Sequence, residues 1–124
     1  MMLKRCLLLL GLLSLWATVA FAGQPAVVYK VDVKDEIGPG VWRTVKKSFE
    51  EAEKAEAGYI LIDMNTYGGL VVYADSLRSL ILNSRRPVWV FVDNNAASAG
   101  ALIAIACDRI YMREGANIGA ATVV

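Results

Sequence analysis

The sequence predicts an α/β fold organised around a parallel sheet, and three observations predict it. From residue 27 onward, strand-like and helix-like patterns alternate in the order βαβαβαβ. Two strand candidates, Tyr59-Ile60-Leu61-Ile62 and Val88-Trp89-Val90-Phe91-Val92, are short continuous apolar runs, as expected of parallel strands covered on both faces. Glycine and proline punctuate the segments between them, at Gly38-Pro39-Gly40, Gly58, Gly68-Gly69 and Pro87. Parallel strands joined through helices imply right-handed crossovers. With 124 residues, the chain has room for one domain.

Residues 1–22 read as an export leader. Lys4 and Arg5 form a positive start, an apolar leucine-rich run follows over residues 7–19, and Ala20-Phe21-Ala22 supplies a cleavage site before Gly23. The alternative is an uncleaved anchor, for which the run is short, because a spanning helix needs about 20 apolar residues. The domain expected after cleavage covers residues 23–124.

Residues 27–33 alternate apolar and polar, with Val27, Tyr29, Val31 and Val33 on one face and Lys30 and Asp32 on the other, the pattern of a half-buried strand. Gly38-Pro39-Gly40 interrupts it. Val41, Val45, Phe49 and Ala52 then recur at helical spacing, with Lys46, Lys47, Glu50, Glu51 and Glu53 outside. Those charges read as a solvated face, and Gly58 is expected to end the helix. After the first apolar strand and the Gly68-Gly69 turn, Leu70, Ala74, Leu77 and Ile81 mark a second helix that Pro87 stops. The second apolar strand leads to Asn94-Asn95, expected as a loop. A third helix is predicted over about 98–107, then a short strand, Arg109–Met112. The final Ala120-Ala121-Thr122-Val123-Val124 is strand-like and lacks a polar tail, so the domain is expected to continue past it.

The charge balance, 13 Lys+Arg against 12 Asp+Glu, includes Lys4 and Arg5 of the leader. No clustered basic face suggests a nucleic-acid partner. The chain contains no histidine. Serine–histidine and cysteine–histidine catalysis and histidine zinc sites are thereby excluded within it, leaving acid–base chemistry to Lys, Asp, Glu, Tyr or water. Cys6 should leave with the leader. Cys107, then alone, cannot form an internal disulfide and reads as a small buried side chain.

Two segments sit at equivalent places, each after a buried strand and before a helix, where binding sites of open α/β sheets gather. The first is Asn65-Thr66-Tyr67-Gly68-Gly69 and the second Ala96-Ala97-Ser98-Ala99-Gly100. Paired glycines let a backbone approach another molecule closely. They also serve as a simple turn. No Gly-Lys-Ser/Thr follows, so this is not a phosphate loop. Ser98 opens a helix and has two readings. It caps the helix, as serines there commonly do. Alternatively it is a nucleophile flanked by free N–H donors that could hold an oxyanion. Its small neighbours Ala96, Ala97, Ala99 and Gly100 would admit a substrate backbone. Ser48, Ser76, Ser79 and Ser84 fall within or at the end of helical patterns and suit polar, solvent-facing roles.

Residues 27–124 resemble the protease domain of NfeD-type membrane proteases, also called nodulation-efficiency proteins, within the ClpP/crotonase-like superfamily. The resemblance is carried by Asn65-Thr66-Tyr67-Gly68-Gly69-Leu70, by Asn94-Asn95-Ala96-Ala97-Ser98-Ala99-Gly100 and by Gly115-Ala116-Asn117-Ile118-Gly119-Ala120-Ala121-Thr122. It implies a ClpP-like spiral of ββα units, incomplete at the C-terminus. It implies Ser98 as nucleophile, the N–H groups of Gly69 and Ala99 as oxyanion hole, and Tyr67 and Gly68 as substrate-binding residues. The family's general base is a lysine a few dozen residues beyond the serine, which serves when burial leaves it neutral near pH 7. No lysine follows Lys54, and arginine stays protonated, so the base is expected past Val124. Tyr67 stands where many relatives have proline. Residues 23–124 alone are accordingly expected to be inactive. The resemblance further implies a protein or peptide substrate, with apolar segments of stomatin-like membrane proteins as the class, a homodimer, and no cofactor or metal. It also implies membrane helices and a small C-terminal β-barrel domain outside these residues, and a place at the periplasmic face of an inner membrane. Two other readings remain open. A crotonase-type acyl-CoA enzyme would share the fold and the oxyanion hole, and a non-catalytic remnant could act as a binding module.

Overall fold

The computed structural model describes residues 26–120. The leader, Cys6 and the last four residues of the 120–124 run lie outside the described residues. In chain order the elements are β1 (Val28–Val33), α1 (Pro39–Lys54), β2 (Tyr59–Thr66), α2 (Val71–Leu82), β3 (Val88–Ala97), α3 (Ala99–Ile105), β4 (Arg109–Met112) and β5 (Asn117–Gly119).

The strands form one parallel sheet in the order β1-β2-β3-β4, and β5 also pairs with β3. Register puts Val31, Ile62 and Val90 in one row and Val33, Met64 and Val92 in the next. These side chains, with Ile60 and Val88, are buried together with Val45, Phe49 and Ala52 of α1, Ala74, Leu77 and Ile81 of α2, and Ala99, Ile103 and Ala104 of α3. The helical spacing of the apolar residues thus places all three helices on one side of the sheet.

The opposite face differs from the sequence reading. Along β2, residues alternate half-buried and buried, so the apolar run is not covered on both sides. Its continuous hydrophobicity has another cause, because aromatic side chains shield one another across strands on the open face. Tyr59 stacks on Trp89 with ring centres 3.9 Å apart, Tyr111 lies 5.9 Å beyond, and the Arg109 guanidinium sits 5.1 Å from the Trp89 ring centre.

Further boundaries differ. Pro39 opens α1 rather than merely breaking the strand, since proline's missing N–H costs nothing in a first helical turn. The helix ends at Lys54, and Glu56 (φ 50°) takes the left-handed conformation expected of Gly58. Gly58 serves close approach instead. A Cβ there would lie 2.9 Å from that of Ala26, where the Gly58 N–H donates to the Val27 carbonyl (2.8 Å). Asn94-Asn95 is strand, not loop. Between the pairs Met64–Val92 and Thr66–Ala96, β2 has one residue and β3 has three. β3 therefore bulges here, and the Asn65 side-chain oxygen accepts the Asn95 N–H (3.2 Å). The third helix spans only 99–105, and β5 had no counterpart in the sequence reading.

Cys107 behaves as a packed side chain. Burial, and secondarily the Asp108 carboxylate, push its thiol up to about 12, and Sγ faces the Ile103 carbonyl at 3.5 Å. The folded protein should therefore resist modification by a thiol-reactive disulfide at pH 8 and react promptly once denatured in urea. Rapid labelling of the native state would contradict this packing.

Candidate active site

The carboxyl ends of β2 and β3 lie side by side in the sheet, so the two motifs that follow them meet. The contact is close. A Cβ built on Gly68 would fall 2.8 Å from the Ser98 Cβ, 3.1 Å from the Ala97 carbonyl and 3.3 Å from the Ala99 nitrogen. Gly68, with φ 114°, is required here both by backbone conformation and by space.

The turn is held from behind by the segment between β1 and α1. The Ile37 N–H donates to the Gly68 carbonyl and the Leu70 N–H to the Ile37 carbonyl, both at 2.8 Å. This parallel bridge uses the groups flanking Gly69, so the N–H of Gly69 itself points to the other side of the strand. A Cβ at Gly69 would lie 2.3 Å from the Ile37 carbonyl oxygen.

Ser98 occupies a sharp strand-to-helix turn with φ 53° and ψ −116°. That conformation is unfavourable for any residue with a Cβ and costs on the order of 1–3 kcal/mol. The capping alternative fails, because the Ser98 side chain makes no cap hydrogen bond. Its N–H donates to the Gly119 carbonyl of β5 (2.8 Å), and its carbonyl accepts from Ala101 (3.0 Å) and Leu102 (3.3 Å). Backbone bonds on both sides thus hold the strained residue while its hydroxyl is not spent on the helix. Ser98 is half-buried and Ala99 buried. Ser76 and Ser84, by contrast, bond the Val72 and Arg86 carbonyls.

Tyr67 is 80% exposed beside the turn. With Leu70, Val71 and Val72, also exposed, it makes an apolar ridge along the entry to α2. Lys34, Asp35 and Glu36 face the turn across a shallow depression that Asn65, Tyr67 and Gly68 also line.

Lys34 is the lysine that comes to this depression, and it is unsuited to be a base. Its Nζ lies 3.1 Å from Asp63 Oδ2 and 3.6 Å from Asp32, while Lys30 lies 2.9 Å from Asp63 and 3.0 Å from Asp32. Hydrogen bonding to Asp63 first, and to Asp32 for Lys30, raises both amines above the usual lysine range. Burial pushes the Asp63 carboxyl up, but the two lysines outweigh it and hold it below the usual carboxylate value. A lowered carboxylate stabilises the fold fully above its unfolded value of about 3.9 and loses that contribution as pH falls through the folded value. The raised lysines contribute below about 10.4 and lose their share as pH climbs. Asp63→Asn should therefore lower urea stability at pH 7, with the gap to wild type closing as pH is taken below 4. A gap unchanged by acid would refute the pairing.

The sequence reading singled out Ser98 and both glycines, and gave no role to Ile37, Thr66 or the Gly119 carbonyl, which the structure brings to the same place. Those act through backbone groups or a side chain common in strands, so no local pattern marks them. Among the described residues, no group of His, Cys, Asp and Glu is arranged to hold a metal ion, and no helix is long and apolar enough to cross a membrane.

Residues 27–124 match the family described as NfeD1b, N-terminal domain. The membrane protein NfeD1b of Bacillus subtilis is 38% identical over 122 residues, 98% of this chain and 28% of its own length. The membrane-bound protease PH1510 of Pyrococcus horikoshii is 31% identical over 97 residues, 76% of this chain and 22% of its own length. This chain thus spans about a quarter of those relatives. A solved structure of the 1510-N membrane-bound stomatin-specific protease, a lysine-to-alanine mutant in complex with a substrate peptide, superposes with TM-score 0.76 at 29% identity, covering 80% of this chain and 47% of that one. ClpP1 from Listeria monocytogenes has TM-score 0.61 at 28% identity, over 64% of this chain and 46% of its own. An enoyl-CoA hydratase from Mycobacterium ulcerans, at 14% identity and TM-score 0.61 over 71% of this chain and 49% of its own, shares the fold alone. The expected ClpP/crotonase-like fold is thereby established, and with all of its length after residue 26 matched, the chain belongs to the NfeD1b family through that family's N-terminal domain.

Proposed function

We propose that this chain carries the nucleophile half of a membrane-associated serine endopeptidase. Ser98 Oγ attacks the scissile carbonyl carbon, and its proton passes to a neutral lysine beyond residue 124. The N–H groups of Gly69 and Ala99 receive the resulting oxyanion, while Tyr67 and Gly68 seat the substrate backbone. Collapse of the tetrahedral intermediate breaks the C–N bond, the amine leaves with the proton, and water hydrolyses the acyl-serine by the same route.

The observation that carries this reading is the conformation of Ser98. A serine held in a costly backbone geometry, uncapped, against a glycine that leaves no room for a side chain, is how a fold presents a hydroxyl to substrate. No acceptor among the described residues receives the Gly69 or Ala99 N–H, which leaves both for an oxyanion. The protonated state of Lys30 and Lys34 supports a base elsewhere in the full-length protein.

The exposed ridge of Tyr67, Leu70, Val71 and Val72 supports an apolar substrate segment. The relative named as stomatin-specific makes stomatin-like membrane proteins the class to try first. Export by residues 1–22, action at the periplasmic face of the inner membrane and a homodimer belong to the same reading. Hydrolysis of an apolar peptide by the full-length protein, compared with its Ser98→Ala variant, tests it.

A further inference from the structure

Thr66 is the buried polar side chain of the described core, 2% exposed, at the point where three segments converge. Its hydroxyl donates to the Asp35 carbonyl (2.8 Å) in the segment leading to α1, and accepts the Gly68 N–H (3.2 Å) in the glycine turn. One proton and one lone pair are thereby used, and the Gly68 carbonyl at 3.4 Å offers a weaker second acceptor. Its methyl fills the space beside α3, for a Cβ on Gly100 would lie 2.7 Å from Thr66 Cγ2. One side chain therefore ties together the turn bearing Gly69, the wall behind it and the helix that starts after Ser98.

We propose that Thr66 is a positioning residue for the oxyanion hole, an inference that rests on the serine-protease reading above. Thr66 bears on where the Gly69 N–H points relative to the Ala99 N–H because its hydroxyl holds the Gly68 N–H and lies 3.4 Å from the Gly68 carbonyl, which shares one planar peptide with the Gly69 N–H. Without the hydroxyl, a buried Gly68 N–H and the Asp35 carbonyl both lose their partner. The turn must then move to find new ones. Ile37 still holds the Gly68 carbonyl and the Leu70 N–H, so displacement begins at the Tyr67–Gly68 peptide and tilts the Gly68–Gly69 peptide about the bond that remains. An oxyanion hole acts chiefly in the transition state, so its misplacement lowers kcat and leaves KM nearly unchanged.

The test uses the full-length protein, an apolar peptide substrate and a small fluorophosphonate that labels an activated serine. Thr66→Val, which keeps shape and removes the hydroxyl, should lower kcat about 10- to 100-fold with KM within about threefold. Thr66→Ser restores the hydroxyl without the methyl and should recover most of kcat. Thr66→Ala removes the hydroxyl and leaves space rather than misfit, so it should reproduce the loss if Thr66→Val folds poorly. Wild-type kcat in either folded variant lacking the hydroxyl, or a Thr66→Ser no better than Thr66→Val, overturns the inference while the protease stands. A wild type that neither hydrolyses peptide nor labels at Ser98 overturns the protease reading, and this inference with it.

Discussion

Ser98→Ala should lower kcat of the full-length protein for an apolar peptide roughly 10⁶-fold, the scale seen when a protease nucleophile is removed. Stability should change by no more than about 0.5 kcal/mol, because the lost hydroxyl makes no cap and alanine keeps the same Cβ and the same backbone conformation. Peptide cleavage followed by mass spectrometry, beside a urea melt, reads both quantities. Ser98→Gly separates the chemistry from the strain. It removes the same hydroxyl and relaxes φ 53°, releasing about 1–3 kcal/mol of backbone strain. Glycine's larger freedom in the unfolded chain offsets about 0.5–1 kcal/mol of that gain. An inactive glycine variant more stable than wild type is therefore expected. Cleavage undiminished in Ser98→Ala would remove Ser98 from the mechanism. Residues 26–120 without the rest of the protein should show no hydrolysis, since their lysines near the turn are held charged.

The second large effect is on stability. Gly69→Ala should cost about 3 kcal/mol or more, near the upper end for a single substitution. Its new Cβ would meet three backbone atoms of Ile37, the carbonyl oxygen at 2.3 Å, the nitrogen at 2.6 Å and the carbonyl carbon at 2.8 Å. Those atoms cannot swing aside as a flexible side chain could, because they are bonded to Gly68 and Leu70. The bridge must open, and with it the wall behind the turn, so activity should fall with stability. Gly40→Ala is the matched control. That glycine lies in the first turn of α1 with nothing within 4 Å of the added Cβ, so the change should be neutral or stabilise by up to about 1 kcal/mol through helix propensity. Urea unfolding of the two variants against wild type decides. Equal stabilities would mean that Gly69 does not make the close approach described.

Much of this protein was legible in its amino-acid order. Period-two and period-3.6 patterns located β1, α1 and α2, because one-sided burial imposes those periods on any chain, and continuous apolar runs located β2 and β3. Val45, Phe49, Ala52, Ala74, Leu77 and Ile81 are buried as their spacing required. The motifs around Gly68-Gly69 and Ser98 were found because glycine pairs and a serine between alanines are locally conspicuous, and the family carried the rest. Single-strand patterns misjudged the open sheet face, since Tyr59 and Trp89 look alike in sequence whether a second layer covers them or they cover each other. They also missed the β3 bulge at Asn94-Asn95 and the three-residue β5, which is too short to show a period.

What the sequence determined alone was the order of elements as far as β4, the side that β1 and the first two helices bury, and the chemistry on offer: a serine, paired glycines and no histidine. Tertiary structure decided that the serine is strained and uncapped, that Gly68 touches it, that Ile37 and Thr66 brace the turn, and that Lys30 and Lys34 stay charged. The division has a physical reason. Burial patterns follow from the chain's local periodicity, whereas a site is made of backbone groups and ion pairs 20 to 30 residues or more apart, and their approach depends on how the strands align.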